Sequence, residues 1–78
     1  MRIENLQYVL EVARAGSISA ASKNLWIGQT TLSAAIQAAE KELDIQLFLR
    51  TSRGITPTPR GKEAIRIIER ILTDYQKL

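Results

Sequence analysis

The chain has 78 residues, a formal net charge of +3, 45% hydrophobic residues, and no cysteine or histidine. So short a chain builds one small domain, whose core contributes only about 3–5 kcal/mol unless a metal, disulfides or a second subunit adds to it. Disulfides are excluded, and without Cys or His the usual ligands for zinc, iron or copper are missing, so no cofactor is expected in this domain. Self-association is the remaining source of extra stability. No apolar run approaches the roughly 18 residues that span a bilayer, so no membrane partner is expected. The opening "MRIENLQYVLEVA" carries acids and no small-residue cleavage site, which speaks against a secretion signal. A soluble cytoplasmic protein is the expectation.

The charge is segregated along the chain. In residues 1–40, Arg2, Arg14 and Lys23 offset Glu4, Glu11 and Glu40, and in residues 63–78, Arg66, Arg70 and Lys77 offset Glu63, Glu69 and Asp74. Between Ile45 and Lys62 stand Arg50, Arg53, Arg60 and Lys62 without a single acid. A local cationic patch suits a phosphate-rich partner, and its plain alternative is a solvated basic loop.

In chain order, "IENLQYVLEVARAG" spaces Ile3, Leu6, Val9, Leu10 and Ala13 as a helix over about residues 4–15, with Gly16 as its stop. Ser17 or Ser19 then caps a short helix that ends near Leu25, and "WIG" is a three-residue break. Trp26 in that break either packs over the core, the favoured reading, or touches the backbone of a phosphate-rich partner. A third helix is predicted from about Gln29 to Leu43. At about 100° per residue, Leu32, Ile36, Ala39 and Leu43 share one face, and Gln29, Thr30, Ser33, Ala34 and Gln37 share the other. From Gly28 to Ala39 this helix carries no charge. Two helices joined by a short Gly-containing turn, the second with an uncharged polar face, describe a helix-turn-helix, although many helical bundles hold such a corner.

"LFLRT" and "ITPT", separated by "SRG", predict a hairpin tipped by Arg53-Gly54. Pro57 cannot donate to a ladder, so the second strand is a brief edge. A helix-turn-helix followed by a basic-tipped hairpin makes a winged helix. Its wing lays a cation along phosphates or into a minor groove while the helix occupies the major groove.

Thr58 caps a fourth helix with Pro59 at its first position. Gly61 weakens that helix by about 1 kcal/mol relative to Ala, a cost either tolerated or imposed by close packing. Beyond it run two apolar stripes, one of Ile65, Ile68, Leu72 and Tyr75 and an adjoining one of Ala64, Ile67, Ile71 and Leu78. One stripe covers the domain's own core, and so wide an apolar face points to pairing with another copy unless the first helix covers it all. The dimer contact is assigned to Ile65, Ile68, Leu72 and Tyr75. The helical pattern meets no Gly or Pro before Leu78, so the natural chain is expected to continue.

The ordered series of motifs resembles the N-terminal DNA-binding domain of LysR-type transcriptional regulators over essentially the whole chain. It comprises "L-x-Y-x-x-x-V-A" (Leu6, Tyr8, Val12, Ala13), "GS-x-S-x-A" (Gly16, Ser17, Ser19, Ala21) and Leu25. It continues with "Q-x-x-LS-x-x-I-x-x-x-E-x-x-L" (Gln29, Leu32, Ser33, Ile36, Glu40, Leu43), "LF-x-R" (Leu47 to Arg50) and "T-x-x-G" (Thr58, Gly61). Departures from the family pattern are Gly28 for Ser, Thr30 for Pro, Ala34 for a longer polar or basic residue, Asp44 for Gly and Pro57 for Leu. Those at positions 30 and 34 bear on the target sequence rather than on the fold.

The expected fold is mostly α with a small β-hairpin: a winged helix-turn-helix over residues 1–58, then a linker helix over 59–78. The resemblance implies a bacterial transcription factor at the nucleoid, dimeric through the linker helix and tetrameric at full length. A small-molecule effector would bind a further C-terminal domain. With the third helix in the major groove, Gln29 suits adenine N6 and N7, Thr30 a thymine methyl, and Ser33 either kind of base edge. For Gln29 and Ser33 the resemblance favours contact, whereas for Thr30 and Gln37 plain solvent exposure is an equal alternative; in contact, Gln37 reaches a phosphate or the groove edge. Arg53 in a wing over about residues 50–57 is the candidate for a narrow, A·T-rich minor groove. Ser17, Ser19, Arg50, Thr51 and Arg60 are candidates for the DNA backbone. The implied partner is double-stranded DNA with A·T-containing inverted half-sites. Two other classes stand as alternatives: a winged-helix module that binds protein without DNA specificity, and a small enzyme. For the latter the eight acids form no general-base constellation with any His or Cys, so catalysis is not expected.

Overall fold

The computed structural model describes residues 1–78. In chain order the elements are α1 (Ile3–Ala15), α2 (Ile18–Leu25), α3 (Gln29–Leu43), β1 (Phe48–Thr51), β2 (Gly54–Pro57) and α4 (Pro59–Gln76). The two strands form one antiparallel hairpin, with Phe48 opposite Pro57 and Thr51 opposite Gly54. A mostly helical winged helix-turn-helix with a long final helix is therefore the observed architecture. No helix is long and apolar enough to cross a membrane.

Local chemistry sets the boundaries. Gly16, with φ 74°, closes α1 by donating its N–H to the Val12 carbonyl at 3.0 Å. Of the two candidate caps for α2, Ser17 is the one used: its Oγ accepts from the Ala20 N–H at 3.0 Å. Trp26 ends α2 in the left-handed region, with φ 60°. It is 93% exposed, so the expectation that it supports the core is wrong. The next residue, Ile27, packs on the core in its place, because the left-handed turn sends Trp26 outward. The hairpin also differs slightly from expectation. Its turn is Ser52–Arg53, and Gly54 opens β2 rather than forming the tip.

α1 lies at the centre, packed against α2, α3, α4 and β2. Val9 and Val12 are fully buried with Leu32 of α3 and Leu47 at the entry to β1. Ile55 of the hairpin joins the same core, and its N–H donates to the Gly16 carbonyl at 2.9 Å, which pins the wing to the α1–α2 corner. That corner leaves no room for a side chain at Gly54: a Cβ there would lie 2.5 Å from the Gly16 oxygen, and φ is 130°.

The passage from α3 to the wing and on to α4 turns on Leu47. The Glu40 carboxylate accepts from the N–H groups of Leu47 at 2.7 Å and Phe48 at 3.3 Å. The Leu47 carbonyl accepts from the Thr58 N–H at 2.9 Å. Thr58 caps α4 as expected, accepting from the Gly61 N–H at 2.9 Å while its hydroxyl donates to the Gln46 carbonyl. Close packing accounts for the glycine inside α4, since a Cβ on Gly61 would sit 2.0 Å from the Leu47 oxygen.

The apolar stripes of α4 exchange the roles expected of them. Ile65, Ile68 and Leu72 are 8%, 4% and 7% exposed and belong to the domain's own core, so these three residues do not form an intermolecular face. Their three-and-four spacing places them on the side of α4 that packs on α1. The adjoining stripe is the open one: Ile67, Ile71 and Leu78 are exposed, as is Tyr75, the one residue of the expected contact that the core does not take up.

Replacing Gly61 with Ala is expected to destabilise the domain by at least about 2 kcal/mol, because the methyl meets backbone rather than a movable side chain. Urea unfolding checks this; a midpoint equal to that of the wild type would contradict the close approach.

Candidate nucleic-acid interface

Three elements build this surface. The first is the exposed side of α3, where Gln29, Thr30, Ala34 and Gln37 are exposed and Ser33 is half-buried. The opposite side, with Leu32, Ile36 and Ala39, is locked into the core, so the rotation of the polar face is fixed by packing. Gly28 provides no side-chain cap for this helix.

The second element is the hairpin. Thr51 Oγ1 accepts from the Arg53 N–H at 3.2 Å and donates to the Gly54 carbonyl at 3.3 Å. These two bonds brace the Ser52–Arg53 turn and hold the backbone that carries Arg53. They also engage the single hydroxyl proton of Thr51, which places this side chain as wing support ahead of a donor to phosphate.

The third element is the start of α2. Ser17 uses its oxygen to cap the helix and retains its hydroxyl proton for an outside acceptor, so the capping and anion-donor readings coexist in one residue. Ser19 is exposed and is not the cap; its carbonyl receives the Ser22 hydroxyl at 2.8 Å.

Arg50 joins the three. A groove of about 210 Å³ brings together Ser17, Arg50, Thr51 and Gly54, and another of about 380 Å³ brings together Ser33, Gln37 and Arg50. Across the second groove the Arg50 Nη2 donates to Ser33 Oγ at 3.4 Å. Arg60, in the first turn of α4, is exposed and lines neither groove.

The electrostatics follow the sequence. The ion pairs of the domain are Met1–Glu42, Arg2–Glu4 and Lys77–Asp74. Arg50, Arg53, Arg60 and Lys62 are all exposed and none is paired with an acid. Their charge therefore remains available to an external anion, beside a helix face that carries none.

Two contributions escaped the sequence reading. Glu40 looks like an ordinary helix-surface acid, yet its carboxylate holds the start of β1. Its fixed place in the motif that runs from Gln29 to Leu43, one turn before the helix end, was the available signal. The Arg50–Ser33 contact joins residues 17 apart and has no periodic signature.

A family model described as bacterial regulatory helix-turn-helix protein, lysR family, matches residues 3–62. The HTH-type transcriptional regulator GltR of Bacillus subtilis is 44% identical over 72 residues, covering 92% of this chain and 24% of that protein. The HTH-type transcriptional regulator YofA of Bacillus velezensis is 42% identical over 72 residues, covering 92% and 25%. The chain thus spans about a quarter of the length of these curated relatives. Among solved structures, the CbnR_DBD-DNA complex aligns with a TM-score of 0.94 at 34% identity, covering 99% of this chain and 88% of that one. The BenM_DBD/catB site 1 DNA complex gives 0.94 and 34%, with 99% and 83% covered. With the family model matching most of the chain and the same fold shared from end to end, this chain belongs to the lysR family of bacterial regulatory helix-turn-helix proteins.

Proposed function

We propose that this chain binds double-stranded DNA sequence-specifically on behalf of a bacterial transcriptional regulator, with α3 in the major groove and the wing at the adjacent minor groove. The observation that carries this reading is the pairing of two surfaces: an exposed, uncharged polar helix face and a neighbouring set of unpaired cations. Neutral amide and hydroxyl groups discriminate base edges, and arginine and lysine bind phosphates without regard to sequence.

Gln29 is assigned to an adenine edge, Thr30 to a thymine methyl and Ser33 to a hydrogen-bonding base edge. Gln37, further along α3, is assigned to the backbone at the groove wall. Arg53 enters the minor groove, where narrow A·T-rich DNA concentrates negative potential. Ser17, Arg50 and Arg60 flank it on the phosphates, Ser17 from the N-terminal end of α2, where free N–H groups also favour an anion. Thr51 serves by bracing the turn that carries Arg53, and Ser19 is the least supported of the backbone contacts. The surface calls for no cofactor.

Dimerisation is assigned to α4 through Ile67, Ile71 and Tyr75, with Leu78 just past its end, because these are the large apolar side chains that this part of the chain leaves uncovered. Two copies related by a twofold axis would read inverted half-sites about one helical turn apart, on the order of 34–36 Å. Tetramer formation and effector sensing are assigned to the remainder of a regulator of the relatives' length. Soluble action at the bacterial nucleoid accords with this role.

Arg53→Ala is expected to weaken binding at every sequence, most where the wing meets narrow A·T-rich DNA, and to lower the salt slope of log K by about one unit. Gln29→Ala should instead relax preference at one base position, by about five- to a hundredfold. Titrations over a salt series and site selection from random duplexes separate the two. An unchanged slope for Arg53→Ala would remove the wing from the contact.

For association, Ile67→Asp with Ile71→Asp should shift the chain towards monomer in sedimentation, with the helical circular dichroism retained. An unaltered mass distribution in a chain that dimerises as wild type would place the contact elsewhere.

A further inference from the structure

We infer that Arg50 is a specificity-determining residue that acts through Ser33: it takes up one lone pair of the Ser33 hydroxyl and by its charge biases the group towards donating, so that a base offering an acceptor to Ser33 is favoured. This rests on the reading above, in which α3 faces the base edges.

A serine hydroxyl has one proton and two lone pairs, and an unconstrained serine in the major groove pairs with donors or acceptors alike. The two serines inside helices that have hydroxyl partners here are used in opposite ways. Ser22 donates its proton to the Ser19 carbonyl at 2.8 Å and is buried, so it is closed to any ligand. Ser33 sits on the reading face, where its oxygen accepts from the Arg50 Nη2 at 3.4 Å and its proton has no partner within the chain.

A guanidinium has donors only, so it occupies one lone pair of Ser33 and never its proton, and the second lone pair faces the same positive charge. Its charge polarises the hydroxyl towards an outside acceptor and repels an incoming amino group. Thymine O4, guanine N7 and O6, and adenine N7 satisfy a donor at this place. The cytosine N4 amino group, which offers only a donor, does not.

Three features keep Arg50 available for this task. It stands in β1 opposite Ile55, whose N–H is tied to Gly16, so its backbone is held by the hairpin's anchor. Glu40, the acid lining the same groove, already accepts from the Leu47 and Phe48 amides, and Arg50 forms no ion pair. Ala34, the exposed neighbour of Ser33, is too short to interpose a side chain. Arg50 thus brings a positive charge to a helix face that has none of its own, and it does so without needing to touch a base.

The test is site selection from random duplexes with four forms of the chain: wild type, Arg50→Met, Ser33→Ala and the double variant. Arg50 is exposed, and methionine keeps its unbranched stem without its donors, so the fold is retained; circular dichroism verifies this. Wild type should deplete cytosine about tenfold at one position of each half-site. Arg50→Met should weaken binding overall and reduce that depletion to about twofold or less, leaving the preference at the Gln29 position intact. Ser33→Ala should abolish the same depletion, and the double variant should add nothing further at that position. A profile for Arg50→Met that is uniformly weaker but unchanged in shape would overturn the inference and leave Arg50 as a phosphate contact. Failure of the broader reading looks different: neither Ser33→Ala nor Gln29→Ala would then alter any position, and both claims would fall together.

Discussion

Leu47 is the residue on which the geometry of the interface depends, through its peptide as much as its side chain. Its N–H lies on the Glu40 carboxylate, its carbonyl takes the Thr58 N–H and presses against Gly61, and its side chain is fully buried. One residue therefore ties the end of α3, the entry to the wing and the first turn of α4 into a rigid joint. Hydrogen bonds to a charged acceptor such as Glu40 contribute about 1.5–3 kcal/mol in favourable settings, a large share of the stability of so small a domain. Losing the joint would free the wing to move relative to the helix that it assists.

Rigidity matters here because the two parts of the surface contribute different physics. A neutral face gains almost nothing from long-range attraction, so it must be delivered to the groove by charges situated elsewhere. The wing and the start of α4 provide those charges, and the absence of intramolecular ion pairs leaves them undiminished. The Ile55–Gly16 bond and the Thr51 brace fix the distance between reading face and cations. Arg50 is where the two meet, lining a groove with Ser17 on one side and another with Ser33 on the other.

Much of this was legible in the sequence because it is encoded locally. Helix spacing and the Ser17, Gly28 and Thr58 boundaries place all four helices within a residue or two, and the run of unbalanced cations marks the wing. The wing tip was placed one residue late because Gly54 resembles a turn residue, whereas its role is to open β2 beneath the Gly16 carbonyl. Trp26 misled because a large aromatic beside a helix suggests a core residue, and only its left-handed φ of 60° reveals that it turns outward. On α4 periodicity finds two stripes but carries no sign to tell which one faces inward. That depends on how α1 lies against it, a long-range fact. The Glu40 and Arg50 contacts are likewise products of chain folding rather than of spacing.

The central claim is that neutral groups on α3 contact the base edges and charged groups hold the backbone. The most direct measurement is affinity for a selected site and for an unrelated duplex, each followed over the same salt series. Both affinities should fall steeply, with slopes near −0.9 per phosphate contacted, and they should fall in parallel, so that the specificity ratio stays constant. A ratio that collapses as salt rises would contradict the account, because it would mean that charged groups make the discriminating base contacts themselves.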